Sequence, residues 1–305
     1  MTNPLLSINV SVWYRPGHEV LRSFRLDIKR GEIVGLVGQS GSGKSTLALT
    51  ILGLLNLKRG KATGSVRFKE MELLELREKE LRSLRGREIG LVLQSPSSAL
   101  NPALSIGTQM RDAWRAHGVG SGLECEFGVL AALRSVSLPS DPEFLHRRSS
   151  QISVGQAQRV LIAMAILHRP SFLIVDEPTS SLDMITQSEI LNLFRRLNED
   201  HGIAILYISH DLMSVASLCD RLAILHNGEV VEDGVTSEVF ARPRHSYTKQ
   251  LVGAVSMVPR IREEGMQSSL RTLTNEIPRQ FSYADGNPLL GVLRRHLAGQ
   301  FNHQG

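Results

Sequence analysis

The chain has 305 residues, 42% of them hydrophobic, enough for one large domain or two modest ones with a real core. Its 35 Lys and Arg against 30 Asp and Glu leave a formal net charge of +5, too mild to argue for a nucleic-acid partner. The longest apolar stretches, such as Val160–Leu167, fall far short of the roughly 20 residues that cross a bilayer, so any membrane association would run through a partner. Two cysteines, Cys125 and Cys219, lie far apart in no C-x-x-C pair and read as packing residues of a reducing compartment. Met1-Thr2-Asn3-Pro4 starts without a basic-then-apolar signal pattern, which makes the expected compartment cytoplasmic.

Leu6 to Val12 alternates apolar and polar residues and predicts a strand with one wet face, followed by Trp13-Tyr14 and a turn at Pro16-Gly17. Phe24 to Ile28 alternates again, and Ser65 to Phe68 makes a further short strand after Gly64. Together they predict an antiparallel, half-wet sheet. Four continuous apolar runs resemble buried parallel strands instead: Ile33–Val37, Ile89–Leu93, Phe172–Val175 and Ile203–Ile208. Each is followed by polar, potentially chemical residues: a glycine loop, Gln94, Asp176-Glu177 and Ser209-His210. In open α/β sheets ligands bind beyond the carboxyl ends of the strands, so four strands delivering chemistry to one edge predict a single site.

Residues from Ser95 to Gln151 break this rhythm. Pro96, Asn101-Pro102 and Gly107 mark a loop; Met110–Ala116 and Phe127–Val136 read as helices separated by Gly118, Gly120 and Gly122. Ser140-Asp141-Pro142 starts another helix, so the stretch reads as a helical insertion. After His210, Asp211–Ser217 reads as helix, and Leu222–Leu225 pairs with Glu229–Glu232 across Asn227-Gly228, the strongest short hairpin signal. From Phe240 the character changes, and residues 260–305 are polar, without clear period after Leu270.

The glycine loop is Gly38-Gln39-Ser40-Gly41-Ser42-Gly43-Lys44-Ser45, with Thr46 opening the helix behind it. This is G-x-x-x-x-G-K-S between a strand and a helix. The glycines let backbone N–H groups close around phosphate oxygens; Lys44 supplies a cation and Ser45 a hydroxyl for Mg²⁺. A glycine-rich turn that binds nothing is the plain alternative. Asp176, at a strand tip, suits the Mg²⁺ shell, and Glu177 suits polarisation of an attacking water. An acidic helix cap is the plain alternative there. Ser153 in Ile152-Ser153-Val154-Gly155-Gln156 reads by itself as a helix N-cap and no more.

The ordered set resembles the ATP-binding-cassette (ABC) ATPases over about residues 5–255. The resemblance implies an α/β P-loop NTPase fold, an ABC-type nucleotide-binding domain with an antiparallel β subdomain and a helical subdomain at 95–151. Residues 256–305 would be a C-terminal extension of peptide-importer type, partly irregular. The resemblance implies ATP and Mg²⁺, with Ser45, Gln94 and Asp176 toward the metal. Gln94 becomes the Q-loop glutamine, Glu177 the general base, His210 the switch histidine, and Ser181-Leu182-Asp183 the D-loop. Tyr14 lies where the family sets an aromatic against adenine, with Trp13 its near competitor. Ser153, Val154, Gly155 and Gln156 would form the signature segment, serving the ATP of a second ABC ATPase in trans. Further implied partners are two integral-membrane permease subunits and, indirectly, a substrate-binding protein, at the cytoplasmic face of the plasma membrane.

Val154 departs from the family's Leu-Ser-Gly-Gly-Gln. A β-branched residue does not take positive φ cheaply, so this signature is expected to close its composite site less well, and a heterodimer is favoured over a homodimer. Arg242–Leu251 resembles the Pro-x-His-Pro-Tyr-Thr-x-x-Leu segment of peptide and nickel importer ATPases, with Ser246 in place of a proline. Gln94–Pro102 resembles that subfamily too, and Leu273–Pro278 resembles the Gly-Glu-Ile-Pro stretch that leads into a cysteine-rich tail in many members. No cysteine follows Cys219, so an iron–sulfur cluster in that tail is not expected. The expectation is therefore the ATP-hydrolysing subunit of an importer for peptides or a related solute, nickel and glutathione included. The competing expectation, a soluble ABC ATPase acting on nucleic acid or ribosomes, has only the mild positive charge for it. A nucleotide-binding module that cannot hydrolyse is opposed by Glu177 and His210.

Overall fold

The structure is a computed structural model and describes residues 3–15, 17–118 and 120–254, apart from the side chain of Ser97. The expected C-terminal extension, with its Leu273–Pro278 stretch, lies outside the described residues. In chain order the strands are β1 (Leu6–Arg15), β2 (His18–Ile28), β3 (Ile33–Val37), β4 (Lys61–Phe68), β5 (Met71–Glu72), β6 (Ile89–Val92), β7 (Phe172–Asp176), β8 (Ala204–Ser209), β9 (Arg221–His226) and β10 (Glu229–Val235). The helices are α1 (Lys44–Ile51), α2 (Glu78–Leu84), α3 (Pro96–Ala99), α4 (Ile106–Arg115), α5 (Gly122–Ser135), α6 (Pro142–His146), α7 (Val154–Ile166), α8 (Met184–His201), α9 (Leu212–Leu218) and α10 (Thr236–Ala241). Residues 246–254 are helical as well.

Among the described residues the strands form two sheets. One is antiparallel, in the order β2-β1-β4-β5; the other runs β10-β9-β3-β8-β7-β6 and is parallel except for β10 at its edge. Strand β1 buries Leu6, Ile8, Val10 and Val12 at alternate positions, which gives the antiparallel sheet one dry face. The parallel strands are dry on both faces. Leu173 and Val175 of β7 join one apolar cluster and Phe172 and Ile174 the other; Ile205 and Tyr207 of β8 are divided likewise from Leu206 and Ile208. Helices α4, α5 and α7–α9 supply the first cluster; α1 and the antiparallel sheet supply the second. Burial on both sides is why these strands read as unbroken apolar runs.

Several local expectations change. Pro96 and Gly107 do not mark a loop: Pro96 opens α3 as its first residue, and Gly107 lies buried in the first turn of α4, which Ser105 caps. Strand β4 begins at Lys61 and runs through Gly64, which stands at φ +107; a Cβ there would lie 2.1 Å from the Asn9 carbonyl oxygen of the paired strand. Only glycine continues the strand through that approach, so it is no boundary. Gly122 is inside a helix and not a spacer. Ser121 caps α5, accepting from the Glu124 amide, while Glu124 accepts from the Ser121 amide at 2.6 Å. This is the S-x-x-E capping box, a signal present in the sequence. Strand β6 stops at Val92, leaving Leu93 exposed. The Asn227-Gly228 hairpin forms with both residues at positive φ, +50 and +84, the twist a two-residue turn requires. Both cysteines are free and buried, and burial pushes each thiol up in pKa, consistent with packing roles.

Candidate nucleotide site

The parallel register brings the carboxyl ends of β3, β6, β7 and β8 to one edge of the sheet. A cavity of about 290 Å³ there is lined by Ser40, Gly41, Gly43, Lys44, Ser45, Thr46, Gln94, Asp176 and Glu177. Gly43 precedes α1 at φ +112, and a Cβ on it would stand 2.6 Å from Leu21 Cδ2. No side chain caps α1, whose first residues Lys44, Ser45 and Thr46 line the cavity; an uncapped helix start has N–H groups able to meet an anion. Lys44 is buried and folds back along the loop, donating to the carbonyls of Gly38 at 2.7 Å and Gln39 at 2.9 Å. Burial pulls its ammonium below the usual lysine pKa, against the opposing charges of Glu177 and Asp176. The Ser42 hydroxyl is buried without a partner among the described residues.

The acids divide the site. Asp176, the last residue of β7, accepts from the Ser45 hydroxyl at 3.0 Å. Burial pushes its carboxyl up in pKa; the Ser45 bond and Lys44 pull it down, and the neighbouring Glu177 charge adds to the rise. A hydroxyl and a carboxylate this close, beside a cradle of amides, are a hard-oxygen set that fits Mg²⁺. Glu177 takes φ +47, an uncommon conformation for a non-glycine residue, with its amide held by the Ile208 carbonyl at 2.9 Å. Its two carboxylate oxygens meet the Gln94 amide nitrogen and His210 Nδ1, each at 3.1 Å. Gln94 also reaches the Ser180 hydroxyl at 3.3 Å. A second cavity of about 180 Å³ lies on the His210 side of Glu177, lined also by Thr179, Ser180, Leu182, Gln187, Ser209 and Asp211. Glu177 therefore borders both spaces.

Tyr14 falls on the dry face of β1, in phase with Val12, and its hydroxyl lies 3.1 Å from the Thr46 hydroxyl; Trp13 is out of phase with it. Asp183 caps α8, accepting from the amides of Ile185 and Thr186 at 3.0 Å each. Ser181 precedes it on an exposed turn, and Leu182 packs toward the core.

None of Ser153, Val154, Gly155 and Gln156 lines the phosphate-loop cavity. Ser153 caps α7, accepting from the Gln156 amide at 3.1 Å and donating its own amide to the Gln156 side chain at 3.1 Å. Gly155 packs on α8: a Cβ there would stand 2.7 Å from Thr186 Cγ2. Val154 lies in the first turn of α7, 54% exposed, and neither it nor Gly155 has positive φ. That corrects the conformational ground for doubting this signature. Nothing in the backbone excludes valine; what remains is an exposed isopropyl group on an open surface.

Residues 21–180 match the family model described as ABC transporter. The chain belongs to the ABC transporter ATPases. It is similar to a dipeptide transport ATP-binding protein of Bacillus subtilis, 37% identical over 88% of this chain and 79% of the relative. A probable D,D-dipeptide transport ATP-binding protein of Escherichia coli is 37% identical over 94% of this chain and 87% of its own. Among solved structures, cbiO1 of Clostridium perfringens superposes at TM-score 0.70 with 28% identity, covering 85% of this chain and 98% of that one. The dimeric ATP-binding cassette MJ0796 with ADP and Pi gives 0.65 with 30% identity, over 76% of this chain and 98% of that one. This ABC ATPase is thus an ATP-hydrolysing transporter subunit, with the family's P-loop fold of parallel, antiparallel and helical parts. Among its described residues no helix is long and apolar enough to cross a membrane.

Sequence reasoning missed three members of this neighbourhood. Ser180 carried no signal apart from its place beside the acids. Gln187, which donates to Asp211 at 2.9 Å, is an ordinary surface residue of α8 by sequence. Tyr247, whose hydroxyl meets the Gln39 amide at 3.2 Å, carried a family signal but none that pointed to the phosphate loop.

Proposed function

We propose that this ABC ATPase energises import of peptides or a related small solute, dimerising on ATP and acting through two membrane permeases. The similarity that carries this reading extends beyond the family-wide motifs. It covers 88% of the chain against a dipeptide transport ATPase and 94% against a probable D,D-dipeptide one. The Arg242–Leu251 segment supports the same subfamily. Nickel and glutathione stay within the solute class; a glutathione import ATP-binding protein of Salmonella choleraesuis is 33% identical over 90% of this chain and 46% of its own length.

In this reading the Gly38–Thr46 loop surrounds the phosphates, which its inward amides and the Lys44 ammonium bind while the Gln39 amide is turned to Tyr247, and Tyr14 offers its ring to the adenine. Ser45 and Asp176 hold Mg²⁺, with Gln94 beside them; when bound, the metal neutralises charge on the β- and γ-phosphates. Glu177 takes a proton from the attacking water, and His210 steadies the γ-phosphate end. Glu177's position between two cavities, touched by Gln94 on one side and His210 on the other, supports these roles. The signature segment Ser153–Gln156 and the D-loop Ser181–Asp183 serve a second ATPase head-to-tail, and the exposed Val154 isopropyl group, the ground that remains, favours a related partner over a second copy. The exclusion of Ser153–Gln156 from this chain's own phosphate cavity supports use in trans, and the dimeric state of MJ0796 is consistent with it. The helical subdomain at 95–151 receives the permeases at the cytoplasmic membrane face, a substrate-binding protein acts indirectly, and the domain itself spans 1–255.

The test is uptake of a labelled dipeptide by cells lacking this chain. Uptake that fails, returns with the wild-type chain and stays absent with Glu177→Gln agrees with the proposal. Dipeptide, nickel and glutathione uptake all unaffected by the loss would overturn it.

A further inference from the structure

The Gly38–Gln39 peptide unit is held from both ends. Its carbonyl oxygen accepts from Lys44 Nζ at 2.7 Å, and its N–H donates to the Tyr247 hydroxyl at 3.2 Å. Tyr247 lies 208 positions from Gln39 and is only 6% exposed. Its ring stacks on His226, the last residue of β9, with centroids 3.9 Å apart and planes at 24°. The chain leading to it is anchored independently: the Glu232 carboxylate on β10 accepts from the amides of Arg244 at 2.8 Å and His245 at 2.9 Å. The Tyr247 amide donates to His245 Nδ1 at 3.2 Å, at the start of the 246–254 helix. Residue 38 leaves no slack on the other side, since a Cβ there would stand 2.3 Å from the Leu225 carbonyl oxygen.

A phosphate in the loop competes for the Lys44 ammonium and draws it from the Gly38 and Gln39 carbonyls. Among the described residues Tyr247 is then the remaining polar contact on that peptide plane. Its oxygen accepts from an amide on the loop's outer side, so it takes no donor away from the anion. We propose that Tyr247 is a positioning residue for nucleotide binding, fixing the Gly38–Gln39 peptide and so linking the docking of residues 244–254 to occupancy of the phosphate loop. Linkage makes the effect mutual: nucleotide tightens the 246–254 helix as much as that helix favours nucleotide. Tyr247 acts this way whatever solute the transporter carries, so a failed uptake assay leaves it standing.

The test uses the full chain and Tyr247→Phe, which keeps the stacked ring and removes only the oxygen. Three quantities are measured: MgATP affinity, the nucleotide-free melting temperature, and amide exchange over residues 246–254 with and without MgATP. The expected result is an affinity loss of about threefold to tenfold, the worth of one hydrogen bond, with the melting temperature within about 2 °C of wild type. MgATP should slow exchange over 246–254 in the wild type and not in the variant. Affinity within twofold of wild type would overturn the proposal. So would an affinity loss that appears only with a matching fall in melting temperature, since that is a structural role and no more.

Discussion

Replacing Glu177 by Gln removes a charge and a base while keeping shape, and the structure sets how little else should change. Among the described residues the two carboxylate oxygens each have one hydrogen-bonding or ion-pair neighbour, Gln94 Nε2 and His210 Nδ1, both at 3.1 Å. A glutamine amide presents one acceptor and one donor in their place. The Gln94 amide can turn to offer its oxygen, and a neutral imidazole can offer a lone pair, so one contact survives outright and the other after a local flip. The ground-state loss is therefore about 1 kcal/mol or less, and the uncommon φ at residue 177 is unaltered. The loss in the chemical step is larger. A positioned general base contributes about 10²–10⁴ in rate, which is about 3–5 kcal/mol at 1.36 kcal/mol per tenfold. Turnover of the assembled complex should fall at least about 100-fold, with MgATP affinity changed less than about fivefold. Steady-state phosphate release and equilibrium nucleotide binding on the same preparation separate the two. Turnover within tenfold of wild type would remove Glu177 as the base; affinity lost along with turnover would refute the claim that the site keeps its shape.

Other perturbations follow from the same geometry. Burial raises the Asp176 pKa, so its ionised form is a folding cost, absent below the unfolded carboxyl value and complete once pH passes the folded one. Asp176→Asn should raise the melting temperature of the nucleotide-free chain at pH 7–8, with the gain fading on acidification, while Mg²⁺-dependent turnover is lost; an unchanged or lower neutral-pH melting temperature would contradict the burial argument. Gly64→Ala puts a Cβ 2.1 Å from the Asn9 carbonyl oxygen at φ +107, and denaturant unfolding should show a loss of about 2–4 kcal/mol. A loss under about 0.5 kcal/mol would mean that β4 relaxes freely there. Val154→Gly removes the exposed isopropyl group from the start of α7 and should raise ATPase rate in the assembled complex. No rise would end the idea that valine slows the composite site.

What the sequence made legible was what local pattern controls. Doubly buried strands read as apolar runs because both faces of the parallel sheet are covered, and the residues just past Val37, Val92, Val175 and Ile208 then share an edge by topology. The Asn227-Gly228 hairpin was legible because its turn dictates its residues. Long-range fit was not legible. Gly64 reads as a stop unless the Asn9 carbonyl opposite is known. Val154 is a different case: an N-cap at Ser153 already puts residue 154 in the first helical turn at negative φ, so the sequence itself refutes strain there. The 18-residue helix α8 is encoded locally, since Ile190, Leu193, Phe194 and Leu197 keep helical spacing. Asp183 carries an N-cap that sequence could have offered, from the two amides after it. Contacts such as Tyr247 with Gln39, or His210 with Glu177, depend on which loops the sheet brings together, and no local spacing encodes them.

The central claim is that this ATPase works on membrane permeases as part of a peptide-type importer. The most direct measurement is to tag the chain in its own cell, solubilise the membranes in mild detergent, and identify what co-purifies. Two multi-span permeases together with a second, related ATPase are the predicted companions, and transport of a peptide by that complex would complete the account. Recovery from the soluble fraction with ribosomes or nucleic acid, and no permease, would contradict it and leave only the ATPase chemistry in place.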